Sequence, residues 1–466
     1  RNEPAGGGVS SHAWLETPPP AGSFRSVFKW GNPAVFKHPN DRLYALMKDV
    51  FGMTDDDFRT RKHDGLEPVR CSHRVRLDKR HIAALMKIVG EQNVETNDYA
   101  RVRYASGKTI EEAAKLRMGI VERVPDLVVH PRHKQDVQDI VAYCNRWRIP
   151  IYVYGGGSSV NFGLRPSKGG ITLVLSTHMN NIIALNEENQ TVRVQAGMMG
   201  PAYEHALNNA PELLGAKRRY TGGHFPQSFE FSSVGGWVVT LGSGQASSYY
   251  GDAYDLVISQ EYVTPTGVIK TLEYPATATG PKVNDIMKGN EGTFGVLVEL
   301  TMKVYRWMPE NRRRFSWMFP TWEAAVNAAR EISQGEFGFP AVFRISDPEE
   351  TDVALKLYGI EGTILDAMMR VRGLRPMERC LMIGTAEGER RFARNVQRQV
   401  KRICKRFGAM YLTGYPVKQW EHGRYTDPYL REDLHDYGIL IDTLETAVTW
   451  DNIMHDIVPG DGGFEG

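Results

Sequence analysis

The chain has 466 residues, 41% hydrophobic and 24% charged, which excludes a fibrous or disordered polypeptide and leaves room for two or three domains. Lys and Arg number 57 against 55 Asp and Glu, a formal charge of +2, so no global field draws the chain to nucleic acid. No apolar run approaches the ~18 residues of a membrane span. Four scattered cysteines, Cys71, Cys144, Cys380 and Cys404, form no CxxC pair, which argues against structural zinc or a disulfide framework.

In chain order, the Gly/Pro/Ser-rich opening reads as a flexible arm, with no charged stretch leading into an apolar one as a secretory signal would have. Phe28-Lys29-Trp30-Gly31 introduces a region of short helices, with Thr109 as a cap for a helix over 109–118. Leu127-Val128-Val129 is a buried-strand run, 133–147 has helical periodicity, and 149–154 is a strand ending in three glycines. Short strands are expected at 171–175, 182–185 and 192–195, and a helix at 201–209. The turn Thr264-Pro265-Thr266-Gly267 joins two strands, because Pro fixes φ and Gly tolerates positive φ. A half-buried strand runs over 296–305. Beyond Trp307, strand–helix–strand recurs twice (315–319, 322–332, 341–345; then 380–384, 389–407, 409–413), which suggests a ferredoxin-like layer of helices on an antiparallel sheet. The expected organisation is an arm over 1–27, a helical region over 28–119, a nucleotide-binding α+β domain over 120–305 and a cap domain over 306–466.

Three segments carry the chemistry. Tyr154-Gly155-Gly156-Gly157-Ser158-Ser159-Val160 follows a strand directly, and consecutive N–H groups there can form a concavity for pyrophosphate. The segment is neither a Walker loop nor a Rossmann GxGxxG, and a plain structural turn is its bland alternative. His224-Phe225-Pro226-Gln227-Ser228-Phe229-Glu230-Phe231-Ser232-Ser233-Val234-Gly235-Gly236-Trp237 sets small residues and hydroxyls between aromatics, which suits a flat ring system or a buried bend. Glu291-Gly292-Thr293-Phe294-Gly295-Val296-Leu297, after Asn290, leads into a strand or simply makes a tight turn. Arg344 on a cap strand offers a bidentate fork to a carboxylate or phosphate, or a structural ion pair. The basic helix with Arg391, Arg394, Arg398, Lys401, Arg402, Lys405 and Arg406 is either a solvated face or a docking face for an acidic partner or anionic lipid.

Together these segments resemble the FAD-binding oxidase superfamily of the vanillyl-alcohol oxidase type (PCMH-type FAD domain), and more closely its alkyldihydroxyacetonephosphate synthase branch. The resemblance runs from Phe28-Lys29-Trp30-Gly31 through Arg123 to Val129, the glycine loop, His224 to Trp237, Gly251, Asp255-Leu256-Val257, Thr264 to Gly267, Thr279-Gly280-Pro281 and Asn290 to Val296. It persists at Phe343-Arg344-Ile345 and Leu444-Glu445-Thr446. It implies a two-part α+β FAD-binding domain with a ferredoxin-like cap, and non-covalent FAD. The Gly155 to Ser159 loop would wrap the pyrophosphate. Gln227 to Ser233, Gly235, Gly236, Thr240, Leu241, Gly242, Ser243 and Glu291 to Leu297 would line the rest, with Glu291 near ribose and adenine. His224 and Arg344 are the only catalytic candidates, His224 having a structural alternative. No metal is expected. The resemblance implies a histidine-rich stretch and a catalytic tyrosine beyond Gly466, so either the cap is incomplete in this sequence or this relative has lost the usual acid–base residues.

The function implied is replacement of the acyl chain of acyl-dihydroxyacetone phosphate by a fatty alcohol in ether-lipid synthesis, without net redox. The alternatives are an FAD-linked D-2-hydroxy acid dehydrogenase or oxidase, and a flavin-binding scaffold subunit of a larger assembly. Expected partners are a small-molecule or lipid substrate, a membrane surface contacted peripherally, and a second copy or larger assembly, but no nucleic acid. The expected compartment is intracellular and reducing, in the cytoplasm or in the lumen of a mitochondrion or peroxisome.

Overall fold

The computed structural model describes residues 14–274 and 276–456. The described residues divide into two compact units, one comprising 14–39, 48–308 and 423–440, the other 40–47, 309–422 and 441–456.

Strands of the first unit begin with β1 (Val94–Glu95), β2 (Leu127–Val129), β3 (Ile151–Tyr154) and β4 (Ile171–Val174), which form one sheet in the order β1-β2-β4-β3. β2 and β4 are buried at every position, as expected of parallel strands covered on both faces, and both β2 and β3 pair with β4 in parallel. The helix Lys134–Trp147 makes the crossover from β2 to β3 and buries Val137, Ile140, Val141 and Cys144. A second sheet holds β5 (Ile182–Asn186), β6 (Thr191–Gln195), β8 (Val257–Thr264), β9 (Gly267–Lys270) and β10 (Val296–Lys303) in the order β5-β6-β10-β8-β9, while β7 (Tyr220–Thr221) pairs with β11 (Tyr305–Arg306). Its pairs are antiparallel, and β6 alternates Val192 and Val194 inward with Thr191, Arg193 and Gln195 outward. Thr264 pairs with Gly267 across Pro265-Thr266, the expected two-residue hairpin. One hydrophobic core, with Leu127, Ile140, Leu173, Val194, Trp237 and Val298, joins both sheets.

The expected arm divides. Residues 1–13 lie outside the described residues, whereas Phe24–Phe28 form a helix capped by Ser23, with Phe24, Val27 and Phe28 buried in a core with Val102, Ala113 and Leu116. Residues 423–440 belong to the first unit and do not continue the cap. A cluster of buried ions holds them: Asp436 with Arg25 at 2.7 Å and with Arg117, and Glu432 with Arg117 and Arg431, each at 2.9 Å. Arg25, Arg117, Glu432 and Asp436 are all at most 3% exposed.

The second unit carries β12 (Arg313–Phe319), β13 (Val342–Ile345), β14 (Cys380–Ala386) and β15 (Met410–Tyr411) in the order β13-β14-β12-β15, every pair antiparallel. Helices Trp322–Ser333 and Arg390–Arg406 link first to second and third to fourth strand, which is the ferredoxin-like arrangement. They cover one face of the sheet, where Phe315, Trp317 and Phe319 meet Ala328, Ile332, Val396 and Ile403. The opposite face, at Met318, is covered by Leu355 and Met369 from two helices absent from the sequence reading, Pro348–Leu357 and Ile364–Val371.

Candidate functional site

The three segments singled out above converge on one cleft in the first unit, with a cavity of about 300 Å³, at the lower end of the usual range for ligand sites. The wall is made of small groups. Nine glycines and five serines contribute, and Glu291 is the one acidic or basic side chain among the described residues that line it.

The first wall is the loop after β3. A Cβ on Gly155 would lie 2.3 Å from Ser233 Oγ, and one on Gly156 would lie 2.0 Å from the Phe231 carbonyl oxygen. These two glycines therefore permit close packing of the loop against 231–233, a role the sequence reading had given to ligand approach. Gly157 takes φ +73°, where an L side chain is strained. The Ser176 hydroxyl donates to the Gly155 carbonyl at 3.1 Å, and the Lys108 amide donates to the Ser159 carbonyl at 2.7 Å.

The second wall is 226–242. Ser233 caps the helix Val234–Thr240, accepting from the Gly236 amide at 3.2 Å. A Cβ on Gly235 would stand 2.6 Å from that of Ala196, so this helix sits as close to the end of β6 as two backbones allow. Trp237 donates its indole N–H to the Ser232 hydroxyl at 2.7 Å, and Leu241 ends the helix with φ +53°.

The third wall is 290–297. The Asn290 side chain is buried, donates to the Tyr262 hydroxyl at 2.8 Å and accepts from the Gly292 amide at 2.8 Å. Glu291 follows this clamp with φ +47° and is exposed, and Asn161 Nδ2 meets its carboxylate at 3.5 Å. Asn161 in turn accepts from the Ser159 hydroxyl at 2.5 Å, so the first and third walls are linked.

The expected residues in the wall are Gly155 to Val160, Ser228, Ser232, Ser233, Gly235, Gly236, Thr240, Gly242, Glu291, Gly292, Gly295 and Leu297. Tyr154, Gln227, Phe229, Glu230, Phe231, Leu241, Ser243, Thr293, Phe294 and Val296 are not in it. Several stand behind it with clear structural roles. Phe229 stacks between Trp237 and Tyr425, Phe231 meets Trp30 edge-on at 4.8 Å, and Gln227 bonds the Arg424 carbonyl at 2.7 Å. Wall residues not expected from the sequence are Val153, Asn161, Gly163, Leu164, Leu175, Ala196, Pro226, Trp237 and Val239. Asn161 and Gly163 continue the small, turn-forming run after Ser159 and were within reach of that reasoning, whereas Leu175 and Ala196 are ordinary core residues by pattern.

His224 also stands outside the wall, 2% exposed and 4.8 Å from the Trp237 ring, with neither ring nitrogen hydrogen-bonded. Burial pushes its pKa down to about 4, so it is neutral at pH 7. Arg344, on β13 of the second unit, is half-exposed and meets Glu350 at 3.4 Å, the ion-pair alternative.

Residues 125–273 match the family model described as FAD binding domain, and residues 308–457 match that of FAD linked oxidases, C-terminal domain. The chain belongs to the FAD-binding oxidase superfamily. It is 31% identical over 365 residues to an alkyldihydroxyacetonephosphate synthase of Dictyostelium discoideum, covering 76% of this chain and 58% of that one. It is 30% identical over 391 residues to the synthase of Caenorhabditis elegans, with coverage of 79% and 63%. The chain thus spans about three fifths of the length of these curated relatives. A solved alkyldihydroxyacetonephosphate synthase structure superposes with a TM-score of 0.81 at 26% identity, over 92% of this chain and 81% of that one.

The cleft suits the FAD of this superfamily. A Cβ on Gly242 or Gly292 would meet nothing closer than 3.9 Å, so both glycines border open space and not protein. The neutral donors of the glycine loop match a pyrophosphate, and the apolar side chains Leu175, Val239 and Leu297 match flat rings. No histidine, cysteine or tyrosine is in the wall among the described residues, so none there offers a covalent link to a flavin. Among the described residues there is no group of three potential metal ligands, and no helix long and apolar enough to cross a membrane.

Proposed function

We propose that the chain is the FAD-holding part of an enzyme of the alkyldihydroxyacetonephosphate synthase type, exchanging the acyl chain of acyl-dihydroxyacetone phosphate for a fatty alcohol. The observation that carries this reading is the meeting of three sequence-distant segments in one glycine- and serine-walled cleft, in a chain similar to such synthases over about three quarters of its length. Bound without a covalent link, FAD supplies an electron-accepting ring system, and the exchange needs no net redox. Backbone amides of Gly155 to Ser159 hold the pyrophosphate, with the Ser158 and Ser159 hydroxyls as neutral donors. Glu291, held in place by Asn161 and Asn290, accepts from ribose hydroxyls. Ser232, Ser233, Gly236, Thr240 and Gly242 shape the remaining wall, and Trp237 gives it a rigid backing through its bond to Ser232.

The test is flavin release on denaturation, followed by turnover of acyl-dihydroxyacetone phosphate with a fatty alcohol. Alkyl product is expected, with no bleaching of the flavin by D-2-hydroxy acids. Bleaching by a hydroxy acid, without alkyl product, would assign the protein to the dehydrogenase alternative.

A peripheral contact with an anionic lipid surface belongs to the same reading. Arg391, Arg394, Arg398, Lys401, Arg402 and Lys405 are exposed along Arg390–Arg406, and none forms an ion pair among the described residues. Binding to phosphatidylserine vesicles but not to neutral ones, lost at high salt, is the expected result.

A further inference from the structure

The glycine loop has no regular structure of its own to hold it, yet its tip is fixed. The Lys108 amide donates to the Ser159 carbonyl at 2.7 Å, and a Cβ on Gly107 would come within 2.3 Å of that same oxygen. The segment 106–108 therefore packs against the loop. What holds 106–108 comes from far along the chain: Arg431 donates one guanidinium nitrogen to the Lys108 carbonyl at 2.7 Å. Its other two nitrogens bind Glu432 Oε1 at 3.0 and 2.9 Å, so the planar fork is used on both sides. Arg431 is 9% exposed, and Glu432, fully buried, is itself tied to Arg117.

A second path leads from the same side chain to the same loop. The Arg431 guanidinium lies 5.2 Å from the Trp30 ring centroid, and Trp30 meets Phe231 edge-on at 4.8 Å. The Phe231 carbonyl is the group against which Gly156 packs. Arg431 thus reaches the tip of the loop through Lys108 and its base through Trp30 and Phe231.

We propose that Arg431 is a positioning residue for the loop 155–160, setting the loop's rigidity and, through it, the affinity for the cofactor. The second half of this statement rests on the reading that the loop holds FAD. The first half concerns the protein alone. It assigns a role in the cofactor site to a residue that lies, by sequence, inside the stretch matching the C-terminal domain model.

The experiment compares Arg431→Lys with wild type and with Arg25→Lys, by hydrogen exchange of the 155–160 amides in FAD-free protein and by fluorescence titration with FAD. Arg431→Lys keeps the charge beside Glu432 but loses the fork that also reaches Lys108. Arg25→Lys disturbs the same ionic cluster, at Asp436, without any bond to Lys108. Arg431→Lys is expected to speed loop exchange and weaken FAD binding by about tenfold each, the equivalent of ~1.4 kcal/mol. Arg25→Lys is expected to lower the melting temperature while leaving loop exchange and FAD affinity within about twofold of wild type. Gly107→Ala, which presses on the Ser159 carbonyl without touching the ions, should reproduce the loosened loop, and it serves if Arg431→Lys does not fold. An unchanged loop in Arg431→Lys or, failing that, in Gly107→Ala would overturn the proposal, as would equal effects from Arg25→Lys. A wild-type protein that takes up no FAD while Arg431→Lys loosens the loop would instead remove the cofactor reading and leave the positioning role standing.

Discussion

The two units place their polar groups differently. In the second unit the core under β12 is apolar, built on Trp317, Phe319, Val396 and Ile403, and a smaller set of charges is buried apart from it, where Arg379 meets Asp366 at 2.7 Å. In the first unit, charges are driven inside. Arg25, Arg117, Glu432 and Asp436 form a buried cluster that ties 423–440 back to the rest of the unit, and the cofactor cleft is walled by backbone and small side chains. The sheet of the second unit is covered by helices on both faces, whereas the first unit keeps open a cleft walled by loops and one short helix. Loops bring little apolar burial of their own, so their position has to come from hydrogen bonds and ion pairs at their backs.

The largest expected effects separate the two kinds of interior. Glu432→Gln leaves Arg117 and Arg431 facing a neutral group in a dry site, and urea unfolding should show a loss of ~3–5 kcal/mol. Trp317→Ala in the second unit should cost about as much, ~3–5 kcal/mol, by leaving a cavity. Their pH dependence should differ. The Arg431 and Arg117 guanidinium groups outweigh the cost of burying Glu432 and hold its folded pKa at about 2, below the unfolded value of 4.5. Its stabilisation is present above 4.5 and is lost as pH falls toward 2. Glu432→Gln should flatten that acid limb, and Trp317→Ala should leave it unchanged. A Trp317→Ala protein with a flattened limb would mean the acid sensitivity does not originate in the ionic cluster.

Gly156→Val comes next. The added side chain would press on the Phe231 carbonyl and separate two walls of the cleft, so FAD affinity should fall by about tenfold or more, ~1.4 kcal/mol. A titration alongside a melting curve checks it, and a folded variant with wild-type affinity would show that the loop is not the cradle.

How far the sequence revealed this contrast depended on what kind of pattern each part carries. The strands and crossover helices of both units follow from period-2 and period-3.6 apolar spacing, because burial of apolar side chains is what that pattern records. Leu127 to Val129, Ile171 to Val174 and the pair of strand–helix–strand passes were legible for this reason. The cleft was found from its glycines and from family resemblance, but the side on which each residue faces was not. Large residues such as Phe229 and Phe231 brace the wall from behind, while the small residues on either side of them, Ser228, Ser232 and Ser233, line it. The return of 423–440 to the first unit was invisible, since a charged run such as Arg431-Glu432-Asp433 carries no apolar period and only folding reveals that its charges are paired inside. The helix at 348–357 was missed because its apolar positions are few, and that at 364–371 because its exposed face also carries apolar residues, Ile364 and Val371, which blur the period.

A smaller effect concerns His224. Its folded pKa, about 4, lies below the unfolded value of 6.5, so the unfolded chain takes up a proton first and stability falls as pH drops from 6.5 toward 4. His435, lowered to about 4 mainly by burial, adds to the same slope. His224→Leu should remove part of it, at most about 1.4 kcal/mol per pH unit. An unchanged slope would mean that His224 already finds a partner in solution. Smallest of all, Arg344→Ala breaks an exposed pair and should change stability by no more than ~0.5 kcal/mol by urea unfolding. A much larger loss would give Arg344 a structural role that its geometry does not suggest.

The central claim is that the three-walled cleft of the first unit holds FAD. It is tested most directly by purifying the protein, recording its visible spectrum and analysing what heat or acid releases. The account predicts a yellow protein that releases intact FAD in a stoichiometry near one per chain and rebinds it on return to native conditions. A folded protein without flavin absorbance that takes up no added FAD would contradict it.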